Sequence, residues 1–356
     1  MNKLILIGNG FDLAHGLKTR YSDFLLWYLN YAIQSFRKNG EYADQLIEIS
    51  FSEYYIENLS IDFTSLSRFK QSLEQYKADI IFKIKSAFFK NLFNITIELN
   101  WVDLESEYYS YLKELYLKLE ASNFKNFKHI EGRVKSLNND FDYLKNELHE
   151  YLNTIEISDK CQVQDIAIHL EQLLAEICKE KSYILFLNFN YTSTIDIYLK
   201  DLKNDHVIVN YIHGKLNNDK NQIIFGYGDE IDDYYQKIEN VNNKEYLKNF
   251  KSFGYFKTTN YQDFSRFIES NQFEVYIMGH SCGLSDRTLL NRIVEHDNCT
   301  KIKIFYHAKS DSENDYIEKT QELSRHFSSK SKHDMRIKIK SFPESSPLVK
   351  LNEENA

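Results

Sequence analysis

Proline is almost missing from this chain: two occur in 356 residues, at Pro343 and Pro347. No proline kink is therefore available before the last fourteen residues, and Ser341 to Ala356 reads as a tail. Glycine is scarce too. Eight of the eleven glycines fall in four short windows, Gly8/Gly10/Gly16, Gly214, Gly226/Gly228 and Gly279/Gly283. Special backbone geometry is thus confined to a few places. The four cysteines (Cys161, Cys178, Cys282, Cys299) form no C-x-x-C pair. That excludes a zinc finger, and scattered thiols of this kind suit a reducing, cytoplasmic setting. No run of 18 apolar residues exists, so neither a membrane span nor a membrane partner is expected. A surplus of positive charge is absent as well. With 44 Lys and Arg against 52 Asp and Glu, the net charge of -8 argues against a general nucleic-acid surface.

What is present begins at the first residues. Leu4 to Ile7 is an apolar run that stops at Gly8-Asn9-Gly10, followed by Phe11, Asp12, His15 and Gly16, with a helical pattern starting near Thr19. Strand, glycine turn and helix is how α/β proteins bring backbone N–H groups to a phosphate. With the turn so early, no separate domain is expected before it, and the apolar run is too short for a signal-peptide core. The 26 tyrosines and 25 phenylalanines accompany abundant Asn, Lys and Ile. These residues share A/T-rich codons, so the aromatics are assigned to core packing rather than base stacking.

Tyr21 to Lys38 carries apolar residues nearly all round a helix, which predicts a sandwiched one. From Glu41 to about Lys181 the pattern is amphipathic and helical, including Leu73–Phe93, Tyr108–Leu119 and Phe141–Leu152, with Gly132 in a polar break. The texture then turns α/β. Strands are predicted at Tyr183–Leu187, Val207–Tyr211, Ile223–Phe225, Glu274–Met278 and Ile302–Tyr306. Helices are predicted at Tyr234–Glu269, Ser193–Leu202, Ser285–Glu295 and Asp315–His326. The fold class is α/β: a parallel-sheet, Rossmann-like core with a large helical insertion. Residues 1–40 and 181–342 are expected to form the nucleotide-binding core, 41–180 the insertion and 343–356 the tail. Lys330–Lys340 alternates apolar and charged residues, as an edge strand guarded by lysine would.

In a parallel sheet, ligands bind at the edge where the strands end. Five predicted strands end in small, polar or ionisable residues: Gly8-Asn9-Gly10-Phe11-Asp12, Asn188-Phe189-Asn190-Tyr191-Thr192, His213-Gly214, Gly226-Tyr227-Gly228-Asp229 and Gly279-His280-Ser281. Their convergence predicts a nucleotide-sized pocket. The dinucleotide fingerprint needs a third glycine at position 13, where this chain has Leu13, so an ordinary dehydrogenase is disfavoured. Asp12 suits either a local cap or a ribose hydroxyl, and His15 suits a loop-structuring role. Asn190 precedes a capping-box pair, Ser193 and Asp196, and could hold a ribose hydroxyl or a water. His213 is the leading catalytic candidate, since it follows a strand, precedes a glycine and titrates near neutrality.

Two other motifs have competing explanations. Gly279-His280-Ser281-Cys282-Gly283 satisfies G-x-S-x-G, making Ser281 a candidate acyl-transfer nucleophile with Asp311 or Asp315 and His326 or His333 downstream. Trp101-Val102-Asp103-Leu104-Glu105, with Glu107, is an acidic helix start, with metal binding the lesser alternative. No metal is expected.

The window from Leu6 to Leu17, with Thr19, Tyr21, Asp23 and Phe24, resembles the opening of the AbiH family of phage abortive-infection proteins. The resemblance extends through Trp101–Glu105, Asn190-Tyr191-Thr192, His213-Gly214, Gly226–Asp229 and Gly279–Ser281. More distantly, the chain is similar to the sirtuin-like NAD-binding domains of other antiphage systems. That resemblance implies NAD or a related nucleotide as ligand, held by Gly8, Asn9, Gly10, Phe11, Asp12, Gly279, His280 and Ser281. It implies catalysis by Asn190 and His213 at the nicotinamide–ribose bond, and an unidentified phage trigger. A homo-oligomer is compatible with it. The sirtuin-type acid after Asn-Tyr is here Thr192, which places the leaving-group site in question. The alternatives are a nucleotide sensor without turnover and the Ser281 hydrolase.

Overall fold

The computed structural model describes residues 1–52, 59–99, 103–157, 164–179, 182–200, 206–310 and 312–349. Trp101, Val102, Cys161, Asp311 and the end of the helix expected at Ser193–Leu202 lie outside them. Among the described residues the strands are β1 (Asn2–Ile7), β2 (Glu41–Ala43), β3 (Ile47–Phe51), β4 (Ile80–Ile84), β5 (Ile184–Asn188), β6 (Val207–Tyr211), β7 (Phe273–Met278), β8 (Cys299–Tyr306) and β9 (Ser346–Pro347). No helix among these residues is long and apolar enough to cross a membrane.

The chain divides into two units. One comprises Met1–Lys18, Ile155–Asp232 and Phe250–Ala356; the other comprises Thr19–Thr154 and Asp233–Asn249. The first holds an all-parallel six-stranded sheet in the order β6-β5-β1-β7-β8-β9. The chain steps outward from β1 to β5 and β6, then returns to the other side of β1 for β7, β8 and β9. The order thus reverses between β1 and β7, which is where open α/β sheets leave a ligand crevice. Both faces of the sheet are covered. Leu4 and Leu6 enter one core with Leu185, Leu187, Val275 and Ile277, while Ile5 and Ile7 enter the other with Ile184, Phe186 and Met278. A strand buried on both faces needs a continuous apolar run, and Leu4–Ile7 supplies it.

Several boundaries differ from the sequence expectation. The helix Tyr21–Asn39 belongs to the second unit, where Phe36 meets Phe51 of β3 at 4.6 Å. Its Tyr31 is exposed, so the helix is not covered all round. The helix Gln164–Ile177 belongs to the first unit, because Leu170, Leu174 and Ile177 pack with Ile5 and Phe186. The second unit is not purely helical, since β2, β3 and β4 form an antiparallel sheet within it. Leu73–Phe93, which reads as one helical pattern, divides into a helix ending at Gln75, β4, and a helix from Ala87. Gly132 lies inside the helix Phe127–Asn153, not in a break. Tyrosine hydroxyls are used structurally here: Tyr28, Tyr42 and Tyr143 donate to Asp44 Oδ2 at 2.6, 2.7 and 3.2 Å.

Three further expectations fail. Ile223–Phe225 is not a strand; its Ile224 N–H donates to the His213 carbonyl at 2.7 Å, which draws the segment off the sheet. Lys330–Lys340 is mainly the helix Lys332–Lys338, and Lys338 Nζ donates to the Val294 and His296 carbonyls at the end of the helix Arg287–Val294. A lysine that satisfies helix-end carbonyls needs no strand. The sixth strand comes instead from the segment expected to be a tail: β9 pairs with β8, and Leu348 is buried.

Candidate functional site

At the ends of β1 and β5, side chains build a buried polar cluster. The Asn188 amide oxygen accepts from the Asn190 N–H at 2.9 Å, and Asn190 Nδ2 donates to the Gly8 carbonyl at 3.0 Å. Thr192 Oγ1 donates to Asp12 Oδ2 at 2.5 Å. Asp12 is 1% exposed, and its other oxygen, Oδ1, is buried with no hydrogen-bond partner among the described residues. A lone buried carboxylate oxygen is costly, and burial pushes the Asp12 carboxyl up to about 6 despite nearby Thr192, Thr194 and Asn190. Thr192 thus bonds a carboxylate from the short helix Asn9–Ala14 that follows β1.

At the ends of β6 and β7 stands a second cluster around Asp286, which closes the short turn Leu284–Asp286. Asp286 Oδ1 lies 2.6 Å from Lys251 Nζ and 3.3 Å from His213 Nε2, and Oδ2 lies 3.4 Å from His280 Nε2. Tyr255 Oη is 3.2 Å from His213 Nε2. Burial would raise Asp286, but Lys251 and then the two histidines hold it well below the usual carboxylate range. Burial, then the Lys251 charge, pulls His213 down to about 3 against the opposing pull of Asp286, so its imidazole is neutral. Lys251 and Asp286 carry no motif that sequence reading could catch. Lys251 lies within a predicted helical stretch and Asp286 at the start of another. Only buried charge in an otherwise apolar context would have marked them.

Phe189 joins the two clusters. Its ring centroid lies 5.2 Å from that of His213 and 4.2 Å from that of His280, and the next residue is Asn190. The sheet edge thus brings together Asp12, Asn190, His213 and His280.

The remaining expected residues make contacts of their own. Gly8 and Gly10 do not present free amides to a diphosphate: Gly8 N–H donates to Met278 O at 3.1 Å and Gly10 N–H to Gly279 O at 2.8 Å. A Cβ on Gly8 would lie 2.5 Å from the His280 Cα, and one on Gly10 would lie 2.8 Å from the Gly279 oxygen. These glycines let the β1 and β7 loops touch. Phe11 is core, and Asn9 is exposed on the rim. Gly214 turns the chain back against Gln222, whose oxygen a Cβ would meet at 2.3 Å. His15 bonds the Phe11 carbonyl at 2.7 Å and the Tyr198 hydroxyl at 2.5 Å, as a structural histidine does. Asp196 takes Tyr211 Oη and Lys215 Nζ at 2.6 and 2.7 Å rather than closing a capping box. Asp229 accepts from Arg287 and from the Ile231 and Asp232 N–H groups, and so anchors its own loop. Asp103 caps the helix Leu104–Ala121 through the Glu105 and Ser106 N–H groups, both at 3.1 Å.

Ser281 is exposed, and the positive φ angles of its loop fall on Gly279 (72°) and Cys282 (59°). His326 Nε2 is spent on the Cys282 carbonyl at 2.7 Å, Asp315 Oδ1 accepts from the His307 N–H, and His333 is exposed on a helix. Among the described residues, which do not include Asp311, Ser281 has no acid–base partner.

Burial also holds His326 down to about 4 and lowers His15. In the unfolded chain these rings, like His213, would take a proton near pH 6.5. Stability from keeping them neutral is present at neutral pH and lost as pH falls below that value. Asp12 acts the other way, gaining as pH falls from about 6 towards 3.8. Asp229, Glu107 and Glu147, also raised by burial, act with Asp12, so the histidines' share is read by removing one ring. Denaturant unfolding at pH 7, 6 and 5 should show stability falling. The fall should be shallower in His326→Gln, and an unchanged slope there would mean that this ring is not neutral in the fold.

The family model for bacteriophage abortive infection AbiH proteins matches residues 4–308. No curated protein and no solved structure matches the chain.

Proposed function

The chain belongs to the AbiH family of bacteriophage abortive-infection proteins, and from that premise we propose that it binds NAD or a related nucleotide and hydrolyses the nicotinamide–ribose bond. The observation that carries this is a pair of buried clusters after neighbouring parallel strands: Asp12 with Asn190 beyond β1 and β5, and a neutral His213 beyond β6. Breaking an N-ribosyl bond builds an oxocarbenium-like cation on the ribose. The bond's electron pair leaves with the nicotinamide nitrogen, and a water oxygen bonds to the ribose C1′. Neutral His213 accepts at Nε2 the proton that water gives up, and Asp286 Oδ1, 3.3 Å from that nitrogen, stabilises the imidazolium so formed. Asp12 Oδ1 accepts from a ribose hydroxyl, and the Asn190 amide, fixed by its bond to Gly8, orients the water or a second hydroxyl. Depletion of NAD would then arrest an infected cell.

Purified protein mixed with NAD, with and without phage lysate, should release nicotinamide. His213→Ala should lower the rate about 10²–10⁴-fold. The rate should fall as pH drops below about 6, where Asp12 takes up its proton, and Asp12→Asn should lose that limb. No release under any of these conditions would sink the enzymatic reading. The burial of His213, 4% exposed, favours a second one, a sensor that binds a nucleotide without consuming it. Calorimetry showing tight binding of NAD with no nicotinamide formed would select it.

A further inference from the structure

We propose that Asp286 and Lys251 act as a positioning pair for His213: the ammonium offsets the charge of the carboxylate that faces the ring, and the carboxylate holds the ring's cation once it forms. This rests on His213 being the base of the reaction proposed above. The geometry is specific. Asp286 Oδ1 is shared between Lys251 Nζ at 2.6 Å and His213 Nε2 at 3.3 Å, so one oxygen faces both groups. Lys251 Nζ is also tied to the Ser285 carbonyl at 3.2 Å, which fixes it beside that oxygen. Lys251 is 1% exposed, and a buried lysine is retained only where it has a partner.

His280 completes the arrangement. Its Nδ1 accepts from the Cys282 N–H at 2.9 Å, which leaves its proton on Nε2, directed at Asp286 Oδ2 3.4 Å away. Asp286 is therefore held from three sides. His213 is faced by Asp286, Lys251, His280 and the Tyr255 hydroxyl, and it hydrogen-bonds the Phe189 backbone. Of these groups only Asp286 carries negative charge, and Lys251 balances it. Without that balance a carboxylate beside an imidazole draws a proton onto the ring, and a base already protonated cannot act. When the reaction delivers a proton to His213, Asp286 is already in place to hold the cation.

The test is NMR of the full chain with labelled histidine and lysine side chains, assigned with His213→Gln. In the wild type the His213 ring signal should stay in its neutral position from pH 5 to 8, and the Lys251 side chain should appear as a charged ammonium. In Lys251→Met the His213 signal should titrate, its midpoint raised by at least about two pH units. In Asp286→Asn it should stay neutral, an opposite response that a purely structural role would not produce. A wild-type His213 titrating near 6.5, a neutral Lys251 beside a charged His213, or a His213 unmoved by Lys251→Met would each overturn the pair. If Lys251→Met does not fold, the two wild-type signals decide. NAD turnover measured on the same sample separates the two ideas. The expected titrations without turnover would defeat the nucleotide reading and leave the pair standing. Turnover with a titrating wild-type His213 would do the reverse.

Discussion

Lys251→Met is expected to destabilise the protein by about 3–5 kcal/mol at pH 7, because it strands the buried Asp286 carboxylate. Asp286 is 9% exposed, and its remaining neighbours are two imidazoles and no second cation at bonding distance among the described residues. Removing both charges, as Lys251→Met with Asp286→Leu, should recover most of the loss, since neither group then pays desolvation without a partner. The single variant's deficit against the wild type should shrink as pH falls, because His213 can take up a proton and replace the missing ammonium. Its folded-state pKa then rises from about 3, so the deficit narrows below the new value and is full above it. Urea unfolding of the wild type, both single variants and the double variant at pH 7 and 5 measures this. Additive losses in the double variant would show that the two groups are not an energetic pair.

Gly279→Ala is expected to cost about 2–5 kcal/mol, from left-handed strain plus overpacking. Gly279 has φ 72°, and a Cβ there would lie 2.1 Å from the Phe11 nitrogen and 2.6 Å from the Gly10 carbonyl carbon. These are backbone atoms of α-helical and turn residues that cannot rotate away. Relief requires the β1 and β7 loops to separate, which also breaks the Gly10 N–H bond to Gly279 O. Gly132→Ala is the control. Gly132 is exposed in the middle of a long helix with nothing within 4 Å of a Cβ, so alanine should stabilise by about 0.5–1 kcal/mol. Thermal and urea unfolding of the two variants should move in opposite directions. Gly279→Ala matching the wild type would mean the two loops do not approach as closely as described.

The parallel core was legible because its strands carry apolar runs, buried throughout in β1 and β5. Val207–Tyr211 has the bounds its apolar pattern predicts, and β1, β5, β7 and β8 differ by one to three residues at an end. Short strands in mixed surroundings were not legible. Ile80–Ile84 carries Lys83 within a stretch that also scans as a helix, and pairing with Ile47–Phe51 decides the outcome. Ser346–Pro347 has no strand signal of its own and is a strand only because β8 offers an open edge. The site divided in the same way. Asp12, Asn190, His213 and His280 stood out as polar residues after apolar runs, whereas Lys251 and Asp286 did not.

By itself, the order of residues determined that strands end in Gly8, Asn190, His213 and Gly279, and that the chain carries the AbiH family pattern across residues 4–308. That follows from local physics: apolar runs make buried strands, and glycine or asparagine ends them. Tertiary structure alone decided what those residues do for one another. The β1–β7 contact consumes the amides of Gly8 and Gly10, Thr192 reaches 180 residues back to Asp12, and Asp286 gathers Lys251, His213 and His280. Hydrogen bonds and ion pairs between distant segments have no local period, so they exist only once the sheet has brought its strand ends together.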